Sequence, residues 1–205
     1  MTGDQQMQIR VHGRGGQGVV TLAELLAHAA FDAGLQAQAF PSFGSERMGA
    51  PVMSFCRVSR RPIHTRQPVT EPDAVLVCDA TLLHSVQVFD GLARHGTVLI
   101  NSAKSISELG VAELVEGGAR VELVPATELA RAEGYGGKPN SVMLGASAYV
   151  LGIFSLQLAE TAFRRRFGSA VPVGLVEAGY RHLAGAELPE LPDGVEATGR
   201  PACAS

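Results

Sequence analysis

The run "RVHGRGGQGVV", Arg10 to Val20, carries four glycines, and Gly13, Gly15 and Gly18 meet the pattern G-x-G-x-x-G. Glycines so spaced permit a tight turn and let a ligand's phosphate approach the backbone. A helix that starts there adds unpaired N–H groups and a partial positive charge. His12 and Arg14 stand beside the run as further donors. Two alternatives stay open: glycines that serve only a tight strand-to-helix turn, and a dinucleotide site. The second lacks its usual partner, an acid about twenty residues on that grips a ribose. There the chain reads "AQAFPSFG", with neither an acid nor an arginine pair for a 2′-phosphate.

Other groups capable of chemistry are few. Asp79 closes one apolar run, and Asn101 with Ser102 closes another, so all three are placed to line a crevice at strand ends. Asp79 is equally suited to cap the segment after Ala80. The stretch "FPSFGSERMGAPV", Phe40 to Val52, is long and irregular and holds Ser42, Glu46 and Arg47, which suits a lid, a clamp or a docking surface. The six histidines form no zinc-binding motif, no serine sits in a G-x-S-x-G elbow and no carboxylate pair stands out. The chain is expected not to make or break bonds alone.

These residues need elements to position them. "MQIRVHG" reads as a strand, the glycines as its exit, and "VVTLAELLAHAAFDAG" as an amphipathic helix ending at Gly34. "LQAQAF" and "VMSFCRVS" alternate as strands; "DAVLVCDA" and "TVLINS" are buried strands. "TLLHSVQVFDGLARHG" reads as a helix. "SISELGVAELVEGG" reads as a shorter one, opening on a capping box of Ser105 and Glu108. "RVELVPA" is a further strand with a helix from near Thr127. After Asn140 the pattern is helical throughout: Ser141 to Leu158, "AETAFRRRFG" and "VGLVEAGYRHLAG". The order predicts an α/β domain of three layers, helices on both faces of a mostly parallel sheet, with a helical C-terminal third. Residues 1–185 form this single domain, and 186–205 form a Pro-rich tail without a core of its own.

The 205 residues are 46% hydrophobic, enough for a substantial core. A net charge of -3, 5% aromatics and no tryptophan supply neither a phosphate-neutralising surface nor stacking platforms, so no nucleic-acid partner is expected. The segment "SVMLGASAYVLGIFSLQLA" is nearly long enough to span a bilayer. Its small residues suit a helix packed on protein instead, and no membrane association or leader is expected. Three separated cysteines offer no C-x-x-C pair, which fits a reducing, cytoplasmic setting, with Cys56 and Cys78 as buried packing residues.

Five stretches in order, "HGRGGQGVVTLAELLAHAAF", "AQAFPSFGSERMGAPV", "EPDAVLVCDATLL", "GTVLINS" and "NSVMLGA", resemble the gamma subunit, or gamma domain, of the 2-oxoacid:ferredoxin (acceptor) oxidoreductases, the pyruvate synthase type included. The resemblance runs from about Ile9 to Arg181. It implies a share in an enzyme that oxidatively decarboxylates a 2-oxoacid with coenzyme A, giving acyl-CoA, CO2 and a reduced acceptor, which is ferredoxin or a flavin/NAD subunit. Thiamine diphosphate, magnesium and iron–sulfur clusters are then expected on partner chains, namely thiamine-binding alpha and beta subunits and an iron–sulfur subunit. The gamma chain contributes to the coenzyme A site. Carried onto this sequence, the residues expected to hold a phosphate-bearing part of coenzyme A are Gly13, Arg14, Gly15, Gly16, Gln17, Gly18, Ser42, Asn101 and Asn140. Phe43, Glu46 and Arg47 are expected to face the catalytic subunits. A purely architectural subunit of the same complex, and an independent NAD(P)-binding protein, are the rival expectations.

Overall fold

The computed structural model describes residues 6–42, 48–169 and 171–185. The expected tail lies outside these residues.

The first strand, β1 (Met7–Arg14), alternates by the period-2 rule: Ile9 and Val11 are fully buried under one layer, while Gln8, Arg10, His12 and Arg14 share the other face. It leads through the glycine loop into α1 (Val19–Asp32). Then come β2 (Gln36–Pro41), β3 (Pro51–Ser59), β4 (Ala74–Val77), a 3-10 turn (Ala80–His84), β5 (Thr97–Asn101), α2 (Ala112–Glu116) and β6 (Arg120–Val124). Four helices follow: α3 (Ala126–Ala132), α4 (Asn140–Leu151), α5 (Leu156–Phe167) and α6 (Gly174–Ala184).

The strands form one sheet in the order β2-β3-β1-β4-β5-β6. β1, β4, β5 and β6 run parallel, whereas β3 is antiparallel to both β1 and β2. The sheet is therefore mixed. The chain returns from β2 to β3 without a crossover helix, and only a crossover makes neighbouring strands parallel.

α1, α4 and α5, with α3 and α6, cover one face over Ile9, Val11, Leu76, Cys78 and Leu99. α4 is buried nearly all round, and it crosses α6 closely at Gly145 and Gly179. On the opposite face Val75, Val77, Val98 and Ile100 pack against Leu82, Val88, Leu109 and Val111.

Two helices predicted from sequence take other forms. Thr81–Gly96 is a 3-10 turn followed by successive turns, not a helix. The buried Arg10 guanidinium donates to the carbonyls of Val88 (2.9 Å) and Asp90, and so takes acceptors that helical bonding would have used. Ser141–Leu158 is two helices. Gly152, in the left-handed region at φ 60°, ends α4, and the Ser155 hydroxyl accepts from the Leu158 N–H to start α5. No described helix is long and apolar enough to cross a membrane. The Ser105–Glu108 box forms both reciprocal bonds, yet it closes a turn, and α2 starts only at Ala112.

Candidate functional site

The glycine loop is held so that little but backbone fits. A Cβ on Gly13 would stand 2.5 Å from Val19 Cγ2, so its bareness lets α1 fold back on β1. Gly18, at φ 79°, occupies the N-cap position of α1, and a Cβ there would reach within 2.5 Å of Asn140 Nδ2. The side chain that Gly18 lacks is thus replaced by the first residue of α4. Two helices, of 14 and 12 residues, begin side by side, and neither has a side-chain cap. Helix starts leave backbone N–H groups without intrahelical partners and carry partial positive charge, so two of them point at one place.

That place is a cleft of about 140 Å³ lined by Gly16, Gly18, Thr21, Lys138, Asn140 and Ser141, with Tyr135 and Phe167 as aromatic walls. Asn140 is 6% exposed and Lys138 is exposed. The chemistry on offer is two helix starts, the aliphatic hydroxyls of Thr21 and Ser141, the phenol of Tyr135, one carboxamide and one ammonium. No carboxylate is among the lining residues, so this set of groups suits an anion.

On the other flank the loop is tied shut. Asp79 accepts from the Thr81 N–H (3.0 Å) and hydroxyl, and from Gln17 Nε2 (2.9 Å), and it pairs with Arg14 Nε (3.3 Å). Gln17 Oε1 accepts from the Arg14 N–H at 2.7 Å. Arg14 Nη1 reaches the Gly49 carbonyl (3.1 Å) and Nη2 the Thr81 hydroxyl (2.9 Å). Burial raises the Asp79 pKa, but the Thr81 and Gln17 hydrogen bonds and the Arg14 charge outweigh it and hold the carboxyl below its ordinary value. Asp79 thus caps the 3-10 turn and also belongs to the loop's own scaffold.

The residues expected at the site separate accordingly. Gly16, Gly18 and Asn140 line the cleft. Gly15 is clamped to the strand beside it, donating to the Ala50 carbonyl (2.9 Å) and accepting from the Gly49 N–H (3.2 Å). Asn101 is at the parallel strands' end, but its amide is committed: Nδ2 donates to the Cys78 carbonyl and the Thr127 hydroxyl, both at 2.8 Å, and Oδ1 accepts from the Thr127 N–H. Ser102 Oγ accepts from the Lys104 N–H. Ser42 sits at the end of β2, its N–H on the Met53 carbonyl, two strands out from β1. Phe43, Glu46 and Arg47 lie outside the described residues. His12 is 5% exposed, and burial, then the charge of Arg10, depress its pKa to about 4, so near neutral pH it brings no positive charge to the loop. Cys56 and Cys78 are fully buried, with thiols pushed up to about 12 by burial.

Thr21, Tyr135, Lys138, Ser141 and Phe167 were not singled out by sequence reasoning. Their one local signal is "GKPN", a lysine and a proline just ahead of an apolar helix. What makes it a site is the packing of α4 beside α1, which no local pattern encodes.

Residues 8–181 match the family model described as pyruvate ferredoxin/flavodoxin oxidoreductase. The chain is 42% identical over 161 residues to the pyruvate/ketoisovalerate oxidoreductases common subunit gamma of Pyrococcus abyssi, an alignment spanning 78% of this chain and 86% of that protein. It superposes with TM-score 0.70 and 35% identity on the pyruvate oxidoreductase subunit PORC of Thermotoga maritima, covering 87% of this chain and 93% of the other. The fold also recurs in the 2-oxoglutarate:ferredoxin oxidoreductase of Magnetococcus marinus, a structure with 2-oxoglutarate, coenzyme A and succinyl-CoA bound. There the TM-score is 0.67 at 18% identity, over 88% of this chain and 31% of that one.

Proposed function

The chain belongs to the pyruvate ferredoxin/flavodoxin oxidoreductase family, as a gamma subunit, and from that premise we propose that it holds a phosphate-bearing part of coenzyme A for a complex that converts a 2-oxoacid to acyl-CoA and CO2. One observation carries this: two uncapped helix starts meet over a cleft that also presents Lys138 and the Asn140 amide. Coenzyme A brings a diphosphate and a 3′-phosphate, the anions such a cleft suits. The Magnetococcus enzyme, which shares the fold, is one with coenzyme A bound.

The contribution is proximity. Anchoring the phosphates restricts where the thiol can travel, and the entropic cost of bringing it to the reacting carbon is met in part by binding at a distance. Gly16 and Gly18 supply approach, the helix starts and Lys138 supply charge, and Thr21 and Ser141 supply hydroxyls. Thiamine diphosphate, magnesium and iron–sulfur clusters belong to the alpha, beta and iron–sulfur subunits, and supply the decarboxylation and electron transfer there. Ferredoxin or a flavin/NAD subunit takes the electrons. The assembly works in a reducing cytoplasm, with residues 1–185 as one domain. Pyruvate is the 2-oxoacid we assign, on the form of the Phe40–Val52 stretch. The segment around Phe43, Glu46 and Arg47 faces the thiamine-binding subunits.

In the assembled complex, Lys138→Ala should raise the KM for coenzyme A roughly tenfold, the worth of one charge-assisted contact, and Gly16→Leu should raise it further. kcat at saturating coenzyme A should change little in the lysine variant. An intact complex with unchanged KM in both would leave the subunit a purely architectural role.

A further inference from the structure

The sequence offers Arg14 as a donor to an incoming phosphate; its surroundings assign it elsewhere. All three of its side-chain nitrogens are engaged, one on Gly49 ahead of β3 and two on Thr81 and Asp79 at the exit of β4. Asp79 in turn receives Thr81 through one oxygen and both Gln17 and Arg14 through the other. Gln17 closes the circuit by accepting from the backbone N–H of Arg14 itself. The backbone follows the same plan, since Gly15 exchanges hydrogen bonds with Gly49 and Ala50. The glycine loop is thereby strapped both to the segment that enters β3 and to the exit of β4.

We propose that Asp79 is a positioning residue for coenzyme A, the anchor of a latch, Arg14–Asp79–Gln17, that fixes the glycine loop in its binding form and turns Arg14 away from the ligand. A loop with two glycines at positive φ, Gly16 and Gly18, has many conformations to lose, and a latch that settles them before binding spares the ligand that cost. The same latch holds Gly49 and Ala50, the residues that lead into β3. The ligand is met by backbone and Lys138 rather than by the guanidinium.

This rests on the coenzyme A reading above, and the test separates the two. Asp79→Asn keeps an acceptor for Thr81 but removes the charge that holds Arg14. Amide hydrogen exchange in the full chain should quicken about tenfold at residues 14–18 and 49–50. In the assembled complex the KM for coenzyme A should rise about tenfold, by misplacement, with kcat within twofold. Arg14→Ala should match Asp79→Asn, and the double variant should be no worse than either. Unchanged exchange and KM in Asp79→Asn would overturn the latch. So would a fall in KM in Asp79→Asn beside a rise in Arg14→Ala, since a freed arginine would then be the ligand's donor. A raised KM in Lys138→Ala with none in Asp79→Asn sinks the latch and spares the coenzyme A reading. Faster exchange with no KM change in any variant, Lys138→Ala included, sinks the coenzyme A reading and the latch's part in binding with it.

Discussion

The two flanks of the glycine loop are built from similar groups and put them to opposite use. Toward Asp79, an arginine, a glutamine and a carboxylate are consumed by one another. Toward α4, a lysine, three hydroxyls and a carboxamide line an open cleft where two helices start without side-chain caps. A donor already paired adds order; a donor left spare adds affinity. The difference lies in position rather than residue type: Arg14 has the stronger charge chemistry and is paired, and Lys138 faces the cleft.

The contrast breaks most completely at Gly18, the point where the flanks meet. Gly18→Ala must accept both φ 79° and a collision with Asn140 Nδ2 at 2.5 Å. Gly34→Ala is the control, at φ 83° with nothing within 4 Å of the added methyl. The control should lose about 1–2 kcal/mol, the cost of a left-handed alanine. Gly18→Ala should lose more, roughly 3 kcal/mol or beyond, together with coenzyme A binding. Chemical denaturation of the two variants side by side checks it; equal losses would mean that α4 does not press on the loop.

The strand that leads into the loop should answer to acid. His12 precedes the loop, buried beside Arg10, and its pKa in the folded chain is about 4 against about 6.5 when unfolded. The unfolded chain therefore binds the proton first. Stability is full above about pH 6.5, falls as pH drops toward 4, and levels off below. The loss is on the order of 3 kcal/mol. His12→Gln should flatten this limb of a plot of unfolding free energy against pH, and an unchanged slope would place the acid sensitivity elsewhere.

How far all this could be read beforehand depended on the range of the interactions. β1, the glycine turn, α1 and the buried strands β4 and β5 rest on local periodicity, and they were legible. Thr81–Gly96 was misread as a helix because its fate is set by Arg10, some eighty positions earlier, whose guanidinium holds the carbonyls of Val88 and Asp90. The long apolar segment was read as one helix because its composition drowned out Gly152 and Ser155, which divide it. At the site, Gly16, Gly18 and Asn140 were nameable from pattern and resemblance. Lys138 was not, since its value comes from α4 packing beside α1. Asn101 looked available at its strand end because sequence shows a side chain's type but not the bonds that occupy it.

The smallest effect is the most discriminating. Thr21 lies one turn into α1 on the open flank, and Thr21→Val keeps its branched shape while removing the hydroxyl. If the cleft holds a phosphate, the KM for coenzyme A should rise about threefold, the worth of one modest hydrogen bond, with the unfolding midpoint and the amide exchange of residues 14–18 unchanged. Asp79→Asn should do the reverse in kind, moving exchange and KM together. Were Thr21→Val also to quicken exchange, the open flank would be helping to order the loop, and the division between paired and spare donors would fail. A shift in KM alone would show that affinity and order are held on separate sides of the same six residues.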